Sequence, residues 1–520
     1  MNALTEERAQ ESPAPSRPLG ELLSGIVASV PPELAGLSIT SIHDDSRRVQ
    51  SGGLFVAVAG GADRARHIAE AWSRGARVVI AEAVEAGATV PILVVANVRL
   101  AVAQIAARWY RVDETAERRL QLLGITGTNG KSTTAFMVRA ILSAAGQRNG
   151  LLGTIEYDLV GRTLTANLTT PGPIELAQYV AECRENGAAA VVMEVSSHAL
   201  DQDRAAGLRF AAGAFTNLTG DHLDYHGTME RYAAAKAKLF ELLPTDGVAV
   251  INRDADYGDR MVRDCKARVV RFSLRQSAEI SAKIMNESVD GTRFKLRIAG
   301  REHRLSNSMI GEHNVYNACA AAGLAHAIGV ADEQIVAGLS SLRRVPGRLE
   351  AVESDAPGKI FVDYAHTDDA LLNVLRVVKP LARRRIVVVF GCGGDRDRTK
   401  RPRMAAVAAQ FADAIIVTSD NPRTEDPLAI IKEINAGFPP EARRRVMIEP
   451  DRRKAIHGAV STLTAGDILI IAGKGHENYQ IIGTNRLEFD DVAEARAAAS
   501  RGQTEAGRAA NAEPAGAKQA

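Results

Sequence analysis

The segment Leu122–Thr134 reads Leu-Leu-Gly-Ile-Thr-Gly-Thr-Asn-Gly-Lys-Ser-Thr-Thr, and its character changes twice. An apolar run ends at a Gly-rich turn, and a helical pattern of apolar residues follows the Lys-Ser-Thr at 131–133. Strand, loop and helix in that order can cradle phosphate, because glycines let backbone N–H groups turn inward and the helix N-terminus adds positive potential. The segment therefore predicts a phosphate-binding loop in an α/β domain.

Individual residues of this loop have separate predicted roles. Lys131 would reach the outer phosphates of a nucleotide, and the hydroxyl of Ser132 or Thr133 would hold Mg²⁺. Ile125 stands where the general pattern has Gly or Ala, so the sequence is a tighter variant of that pattern. The alternative is an ordinary Gly-rich turn, but Lys-Ser-Thr at a helix start favours the phosphate loop.

Composition bounds the rest of the chain, which has 520 residues, 46% hydrophobic and 24% charged, with a net charge of +2. This length is too great for one hydrophobic core and indicates about three domains. The balanced charge gives no reason to expect nucleic acid or an anionic membrane as a partner. Four scattered cysteines without metal-ligand spacing fit a reducing, cytoplasmic setting, and no apolar run approaches the roughly 20 residues of a membrane span. Residues 1–17 and 501–520 have the composition of disordered tails.

Changes of pattern between the tails predict three α/β domains. Residues 18–110 form a small α/β domain. Residues 111–346 carry the phosphate loop on a mostly parallel sheet like that of a P-loop ATPase. This second domain ends with alternating β-type residues over about 279–306 and a helix from about 314 to 328. Residues 347–500 hold five apolar runs separated by helical stretches, which is typical of a doubly wound, Rossmann-like sheet.

Two polar motifs follow apolar runs in the second predicted domain. Met-Glu-Val-Ser-Ser-His occupies residues 193–198, and Asp-His-Leu-Asp-Tyr-His occupies residues 221–226. The carboxylate of Glu194 and the imidazole of His222, at adjacent strand ends, could ligate Mg²⁺ beside the phosphate loop. The alternative is a capped strand end for Glu194 and a hydrogen-bonded loop for His222.

Polar motifs in the third predicted domain lie just after apolar runs, where the carboxyl ends of parallel strands bind ligands. They are Asp363–Thr367, Gly391–Asp397, Lys400–Pro402, Ser419–Arg423 and Gly473–Glu477. An Arg fork binds a planar carboxylate bidentately and a neighbouring acid binds an ammonium, so a site with both signs suits an amino-acid substrate. Turn residues with local ion pairs are the alternative for any single motif.

Taken together and in order, these motifs resemble those of the Mur ligase family over about residues 20–500. The motifs are Gly-Thr-Asn-Gly-Lys-Ser-Thr, Met-Glu-Val-Ser-Ser-His, Asp-His-Leu-Asp-Tyr-His, Gly-Glu-His-Asn-Val-Tyr-Asn (311–317), Asp-Tyr-Ala-His-Thr, Gly-Cys-Gly-Gly-Asp-Arg-Asp and Gly-Lys-Gly-His-Glu. The resemblance implies an N-terminal UDP-binding domain, a central ATP-binding domain and a C-terminal amino-acid-binding domain.

The same resemblance implies an activity. It is ATP-dependent addition of meso-2,6-diaminopimelate to UDP-N-acetylmuramoyl-L-alanyl-D-glutamate through an acyl phosphate, in cytoplasmic peptidoglycan precursor synthesis. ATP would be the co-substrate and Mg²⁺ the cofactor. We expect a monomer with small-molecule substrates, and neither a nucleic-acid partner nor a membrane span.

Roles for single residues also follow from the resemblance. Those expected to contact ATP are Gly127, Thr128, Asn129, Gly130, Lys131, Ser132, Thr133, Asn314 and Arg348. The expected Mg²⁺ ligands are Ser132, Glu194, His222 and a carbamate on Lys236, and the expected catalytic residues are Lys131, Lys236, Glu194 and His222. The expected UDP-substrate contacts are Ser46, Thr169, Thr170, Ser196, Gln202 and Arg204. The expected diaminopimelate contacts are Arg401, Asp420, Asn421, Pro422, Arg423, Gly473 and Glu477.

Two of these assignments carry specific expectations. Lys236 aligns with the carbamylated lysine of the family, although the Ala-rich segment around it otherwise indicates a plain amphipathic helix. Asp-Asn-Pro-Arg at 420–423 is the form associated with diaminopimelate, because Arg423 can pair with the second carboxylate that lysine lacks.

The sequence departs from the family pattern at two places and leaves alternatives open. Gly60-Gly61-Ala62-Asp63-Arg64 lacks the second Gly of the usual loop, and Leu168 replaces an Asn before the Thr-Thr pair. The enzymatic alternatives are a lysine-adding relative and a folylpolyglutamate-synthetase-like ligase. The non-enzymatic alternative is a nucleotide-binding regulator that uses the phosphate loop as a switch.

Overall fold

The computed structural model describes residues 16–58, 60, 62–85, 90–113 and 120–510. The chain forms two compact units. The first comprises Met1–Lys131, Gly146–Arg271 and Ala327–Gly329, and the second comprises Ser132–Ala145, Phe272–His326 and Val330–Ala520. The predicted domain ranges 18–110, 111–346 and 347–500 are a different division of the chain and stay predictions.

The N-terminal part of the first unit is a four-stranded parallel sheet, ordered β3-β4-β5-β6. Its strands are β1 (Arg17–Pro18), β2 (Ser38–Ile39), β3 (Ser41–His43), β4 (Gly53–Val56), β5 (Val78–Ala81) and β6 (Ile92–Val94), with β1 and β2 paired separately. Its helices are α1 (Leu19–Leu23), α2 (Pro32–Ala35), α3 (Ala62–Ser73) and α4 (Val98–Trp109). Successive side chains of β4 point to opposite faces of the sheet and enter different cores. Phe55 packs with α3, and Leu54 packs in the large core that includes the central sheet.

The central sheet of the first unit is ordered β10-β9-β8-β11-β7-β12-β13-β14. Its strands are β7 (Gln121–Thr126), β8 (Asn149–Leu152), β9 (Glu156–Asp158), β10 (Thr163–Thr165), β11 (Ala190–Glu194), β12 (Ala212–Phe215), β13 (Val248–Asn252) and β14 (Arg268–Ser273). Helix α5 (Lys131–Ala144) follows β7 and belongs to the second unit from Ser132 onward. The helices of the first unit here are α6 (Pro173–Glu185), α7 (Ser197–Asp201), α8 (Leu223–His226), α9 (Met229–Glu241) and α10 (Gly258–Met261). Strands β8, β11, β7, β12 and β13 are parallel, so their carboxyl ends share one edge.

After α5, the second unit continues with an antiparallel meander, as the alternation over 279–306 predicted. Its strands are β15 (Ile280–Ser288), β16 (Gly291–Ile298) and β17 (Arg301–Asn307), followed by α11 (Glu312–Ala327) and α12 (Asp332–Ser341). In β16 the alternate residues Phe294, Leu296 and Ile298 are buried, which gives this sheet its apolar face.

The C-terminal part of the second unit is a sheet ordered β18-β19-β23-β20-β21-β22, with only β18 antiparallel. Its strands are β18 (Glu350–Ala351), β19 (Lys359–Asp363), β20 (Ile386–Phe390), β21 (Ala414–Val417), β22 (Val446–Ile448) and β23 (Ile468–Ala472), and a hairpin adds β24 (Tyr479–Ile482) and β25 (Asn485–Glu488). The helices are α13 (Asp368–Val378), α14 (Lys400–Phe411), α15 (Pro427–Asn435), α16 (Arg452–Ser461) and α17 (Asp491–Ala510). Separate apolar cores cover the two faces, so the predicted α/β, doubly wound architecture is confirmed.

The ends of the chain differ in part from the predicted tails. Residues 1–15 and 511–520, like Gly61 of the shortened loop, lie outside the described residues. Arg17 pairs with Ile39, and α17 extends to Ala510 through an Ala-, Glu- and Arg-rich sequence with high helix propensity. Among the described helices, none is both long and apolar enough to cross a membrane.

Candidate active site

The predicted phosphate loop lies between β7 and α5. Gly127 and Gly130 have φ of +149° and +87°, conformations that favour glycine. A Cβ on Gly127 would lie 1.9 Å from Thr216 Oγ1, so the close approach of β12 also requires glycine there. Lys131 turns back over the loop, and its Nζ donates to the carbonyl oxygens of Gly127 at 3.0 Å and Thr128 at 2.8 Å. The segment thus has the predicted strand, loop and helix, with the lysine folded over the loop.

The segment after β12 braces this loop. The backbone N–H groups of Thr128 and Asn129 donate to the carbonyl oxygen and to Oδ1 of Asn217, both at 2.9 Å. Thr216 Oγ1 donates to the Asn129 carbonyl at 2.6 Å. Because β12 pairs directly with β7, these bonds hold the loop in one conformation through the neighbouring strand.

Lys236 lies on the buried face of α9, with 1% of the residue exposed. Its Nζ donates to the Gly127 carbonyl at 2.9 Å and lies 4.4 Å from the centre of the Tyr232 ring. Burial lowers the pKa of the Lys236 amine well below its usual range, and the ammonium of Lys131 lowers it further. A lysine in the apolar face of a helix, with its amine directed at the phosphate loop, differs from the plain amphipathic helix that composition alone indicated.

Glu194 ends β11 and is 2% exposed. Its two carboxylate oxygens accept hydrogen bonds from the backbone N–H of Thr154 at 2.9 Å and from Thr154 Oγ1 at 3.1 Å. A Cβ on Gly153 would lie 2.4 Å from Glu194 Oε1, so the small residue makes room for the carboxylate. Sequence reasoning missed Thr154, because nothing in its local pattern indicates a contact with a strand 40 residues away.

His222 adopts a left-handed backbone conformation, with φ of +53°, immediately before α8. Its ring stacks edge-on against His198 with centroids 4.9 Å apart, within a cluster of rings that also holds Tyr225, His226 and Tyr232. Partial burial lowers the pKa of His222, and the ammonium of Lys131 lowers it further against the opposing effect of Asp221. The ring is therefore mostly neutral at pH 7, which is the form that can ligate a metal.

Predicted UDP-substrate contacts in the central sheet form one hydrogen-bonded network. Thr170 Oγ1 donates to the Glu194 carbonyl at 2.9 Å and accepts from the Ser196 N–H at 3.0 Å. Arg204 donates through Nη1 to the Thr170 carbonyl at 3.0 Å and through Nε and Nη2 to Gln202 Oε1. Thr169 reaches the same network, with its Oγ1 3.1 Å from Thr154 Oγ1.

Ser46, a further predicted substrate contact, and Leu168, a departure from the family pattern, differ in exposure. Ser46 is buried between β3 and β4, and its hydroxyl donates to Glu70 Oε2 at 2.7 Å. Leu168, which replaces the usual Asn, is 49% exposed. The apolar replacement therefore lies at the surface beside Thr169 and disturbs no core.

Asn314 and Arg348, the other predicted nucleotide contacts, lie in the second unit. The Asn314 amide donates to the Ile310 carbonyl at 2.7 Å and accepts from Asn317 Nδ2 at 3.1 Å. Arg348 Nη2 donates to Ser132 Oγ at 3.4 Å, and its guanidinium lies 5.0 Å from the centre of the Tyr364 ring. The structure thus places Arg348 at the phosphate-loop hydroxyl that was predicted to hold the metal.

Most predicted diaminopimelate contacts meet at the carboxyl ends of β21 and β23; we call Asp420, Asn421, Arg423, Gly473 and Glu477 the strand-end site. Asn421 Nδ2 donates to Glu477 Oε2 at 2.8 Å, and Arg423 Nη1 donates to the Gly394 carbonyl at 2.8 Å. Gly473 has φ of +116°, and a Cβ there would lie 2.5 Å from Asp420 Oδ2. The site therefore combines two carboxylates and a guanidinium, as an amino-acid substrate would need.

Arg401 does not fit the prediction of a diaminopimelate contact. It is fully buried, and its terminal nitrogens donate to Glu425 at 2.8 and 3.0 Å and to Glu433 at 2.8 Å. Its terminal nitrogens are already paired and the whole side chain is enclosed by protein, so it presents no surface to a substrate in this structure. Arg396, from the Gly-Gly-Asp-Arg-Asp motif, is exposed instead: around a Cβ placed on Gly393, the Arg396 Cγ would lie at 3.8 Å and the Arg423 Nη1 at 2.9 Å.

Comparison with known proteins covers both units. Residues 125–325 match the Mur ligase middle domain, and residues 347–475 match the Mur ligase glutamate ligase domain. A UDP-N-acetylmuramoyl-L-alanyl-D-glutamate–2,6-diaminopimelate ligase from Solibacter usitatus is 42% identical over 92% of this chain and 97% of its own length. The enzyme of the same name from Geobacter sulfurreducens is 44% identical over 88% of this chain and 94% of its own length.

A solved structure extends the similarity to the fold. The structure of a UDP-N-acetylmuramoyl-L-alanyl-D-glutamate–2,6-diaminopimelate ligase superposes with a TM-score of 0.71 at 33% identity, covering 94% of this chain and 99% of that one. The two domain matches, the identities above 40% and the shared fold all indicate one family. It is the same family whose motifs appear in order in this sequence. This chain belongs to the Mur ligase family.

Proposed function

We propose that this chain is an ATP-dependent ligase that joins 2,6-diaminopimelate to UDP-N-acetylmuramoyl-L-alanyl-D-glutamate in peptidoglycan precursor synthesis. The observation that carries the proposal is the strand-end site, where Arg423 and two carboxylates converge beside the carboxyl ends of β21 and β23. The shared name of the relatives, whose similarity covers about nine-tenths of the chain, supports the same substrate pair.

The reaction begins with a carboxylate, which is a poor acyl donor. A side-chain carboxylate oxygen of the D-glutamyl residue attacks the γ-phosphorus of ATP, and ADP leaves, so that the carboxyl carbon now carries a phosphate leaving group. The phosphate loop and Lys131 would hold the phosphates in line for this transfer and offset their charge. The hydrogen bonds from the loop to Asn217 support this role, because they hold the loop conformation through protein groups alone.

The second half of the reaction forms the amide. The free amine of diaminopimelate attacks the acyl carbon, a tetrahedral intermediate forms, and inorganic phosphate leaves with the electrons of the C–O bond. An amine attacks only when unprotonated, so one proton must leave the ammonium before or during the attack. Asp420 and Glu477 would bind the ammonium groups, and Arg423 with Arg396 would bind a carboxylate.

Magnesium fits the residues at the phosphate loop. Within the described residues, no group of three His, Cys, Asp or Glu side chains is close enough to hold a metal ion. Mg²⁺ needs no such group, since it is usually bound through one or two carboxylates and completes its shell with waters and substrate phosphates. Glu194, a neutral His222 and the Ser132 hydroxyl would supply the protein ligands. When bound, the ion would neutralise charge on the phosphoryl oxygens.

A carbamate on Lys236 would supply a further oxygen ligand. A neutral lysine amine adds to carbon dioxide, forming an N–C bond and releasing a proton, which leaves a negatively charged carbamate. The burial that lowers the pKa of Lys236 favours that neutral amine. The neighbouring ammonium of Lys131 would stabilise the negative product, because opposite charges attract strongly at a buried position.

The choice of diaminopimelate over lysine would depend on Arg423. Both amino acids offer an α-carboxylate and two amines, but only diaminopimelate has a second carboxylate. Arg423 is half-buried and its Nη1 is anchored on Gly394, so its position is fixed while part of the guanidinium stays accessible. Binding of either amino acid would remove water from the Arg423 guanidinium. Only the second carboxylate of diaminopimelate would replace the lost hydrogen bonds, so lysine would bind more weakly.

A single assay tests the proposal. Purified protein with Mg²⁺, ATP and UDP-N-acetylmuramoyl-L-alanyl-D-glutamate is given diaminopimelate, lysine, or no amino acid, while phosphate release and the UDP product mass are measured. Folate with glutamate is the separate test of the folylpolyglutamate-synthetase-like alternative. We expect phosphate release and a product lengthened by one diaminopimelate. Release driven equally well by lysine, or by folate with glutamate, would overturn the assignment.

A further inference from the structure

Lys474 lies in the turn between β23 and β24, within the Gly473–Glu477 motif, and none of its surface is exposed. Fully buried lysines are rare, because removing an ammonium from water is costly unless partners replace the lost hydration. Its predicted neighbours in the strand-end site have assigned roles, whereas Lys474 has none. The groups that Lys474 contacts therefore indicate its role.

Those partners are two residues of the strand-end site. Lys474 Nζ donates to Asn421 Oδ1 at 3.2 Å and to Glu477 Oε2 at 3.2 Å. The same nitrogen lies 5.3 Å from the centre of the Tyr479 ring, which adds a cation–π contact. The ammonium is thus held between an amide oxygen, a carboxylate oxygen and an aromatic ring.

The three polar side chains close into a triangle of hydrogen bonds. Asn421 Nδ2 donates to the same Glu477 Oε2 at 2.8 Å, and Asn421 Oδ1 also accepts from the Ile481 N–H at 2.9 Å. An ammonium can only donate, so it requires the Asn421 amide to present its oxygen to Lys474 and its nitrogen to Glu477. With Lys474 in place, a single orientation of the Asn421 amide and of the Glu477 carboxylate satisfies all four of these hydrogen bonds.

We propose that Lys474 is a positioning residue for the incoming amino acid. It presets the Glu477 carboxylate and the Asn421 amide in the orientation that receives the substrate, and it contacts no substrate itself. The inference rests on the proposed function of the strand-end site. Without Lys474, Glu477 Oε2 and Asn421 Oδ1 each lose a bond from the ammonium, and only the Ile481 N–H and the Asn421–Glu477 bond still orient the two groups. The substrate must then order the Glu477 carboxylate as it binds.

The test compares Lys474→Met with wild-type protein. Methionine fills much of the same volume but donates no hydrogen bond, and Lys474→Gln restores a donor without the charge. Lys432→Met is the matched control, because Lys432 is exposed on α15 of the same sheet. We expect the KM for diaminopimelate to rise about 10- to 100-fold in the Met variant and less in the Gln variant, from the loss of a hydrogen bond to a charged group. The KM values for ATP and the UDP precursor should stay within about twofold.

A second readout separates positioning from general damage. The acyl phosphate forms before the amine is used, so hydroxylamine trapping without diaminopimelate should give wild-type amounts of hydroxamate in the Met variant. An unchanged diaminopimelate KM, or a loss of trapped acyl phosphate in a folded variant, would overturn the inference. If the Met variant does not fold, the same comparison on the Gln variant decides. Failure of the proposed function shows separately, as wild-type protein that does not consume diaminopimelate.

Discussion

A buried ion pair between Arg452 and Asp491 offers a quantitative test of how the strand-end site is supported. Both side chains are 0% exposed, and the pair is bidentate: Nε donates to Oδ1 and Nη2 donates to Oδ2, each at 2.7 Å. Arg452 also donates to the carbonyls of Ala472 at 3.0 Å and Ser419 at 3.4 Å. These carbonyls immediately precede Gly473 and Asp420, so the pair ties two strand ends of the site together.

Replacing Asp491 with Asn would leave the Arg452 charge buried and uncompensated. Removing one partner of such a pair costs about 3–5 kcal/mol of the free energy of unfolding. For a domain of 150–250 residues each kcal/mol shifts Tm by about 2–4 °C, so the expected loss is about 6–20 °C. Arg452→Met with Asp491→Leu removes both charges and should recover most of this loss, because an apolar pair needs no compensation.

Measurement must report on the second unit. The two tryptophans, Trp72 and Trp109, both lie in the first unit, so their fluorescence does not follow this region. Hydrogen exchange of peptides from β21 and β23, with calorimetry for Tm, reports on it directly. The matched control is Arg453→Gln, which removes an ion pair to Glu494 between the same two helices but with the arginine 58% exposed. It should cost about 0–1 kcal/mol.

Two outcomes would refute this reasoning. A loss below about 1 kcal/mol for Asp491→Asn would mean that the Arg452 charge finds other compensation. A double variant no more stable than the single one would mean that packing around the pair, and not its charge, holds α16 and α17 on the sheet.

Three further predictions concern the site and its acid response. Lys236→Ala should lower kcat at least about 100-fold, as loss of an electrostatic group does, with partial rescue by a short carboxylate; a fully active variant contradicts the carbamate. Arg423→Ala should raise the KM for diaminopimelate about 10- to 100-fold. It should also reduce the ratio of kcat/KM for diaminopimelate to kcat/KM for lysine, measured by phosphate release. Arg401 holds the pKa of Glu425 at about 2, below its usual 4.5, so the contribution of Glu425 to stability is complete above about pH 4.5 and is lost as the pH falls towards 2. Glu425→Gln should flatten the Tm profile of the second unit across that window, and an unchanged acid limb would contradict the pairing.

Much of the fold could be predicted from short patterns in the sequence. The predicted phosphate loop lies between β7 and α5, and the alternation in β16 corresponds to a buried face. Both features depend on residues within one or two turns of chain, where periodicity and turn chemistry are informative. Four of the five polar motifs of the third predicted domain follow strands directly, as predicted, whereas Lys400–Pro402 forms the start of α14. Parallel strands bring their carboxyl ends to one edge of the sheet.

The role of Arg401 could not be predicted in the same way. Its partners, Glu425 and Glu433, lie 24 and 32 residues further along the chain, on the loop before α15 and on α15 itself. Nothing in the sequence near Lys400-Arg401-Pro402 indicates that these two carboxylates pack against Arg401. A binding site for an amino-acid carboxylate does need a cation, and Arg401 is one of several arginines near the strand ends. The resemblance supplied Arg401 as a substrate contact, and the packing of α14 against α15 pairs it with these two carboxylates and leaves Arg396 exposed.

The cations around the strand-end site differ in burial, and their burial indicates which of them can contact a substrate. Arg401, Arg452 and Lys474 are fully buried and donate to protein carbonyls, amides or carboxylates, so they hold strand ends in place. Arg396 is exposed and Arg423 half-buried, which leaves them able to meet a substrate carboxylate. A buried cation costs stability unless it is fully paired, and its loss should therefore alter both the free energy of unfolding and substrate affinity. Loss of an exposed cation should alter affinity alone, so measuring both quantities for each variant identifies which residues bind substrate and which support them.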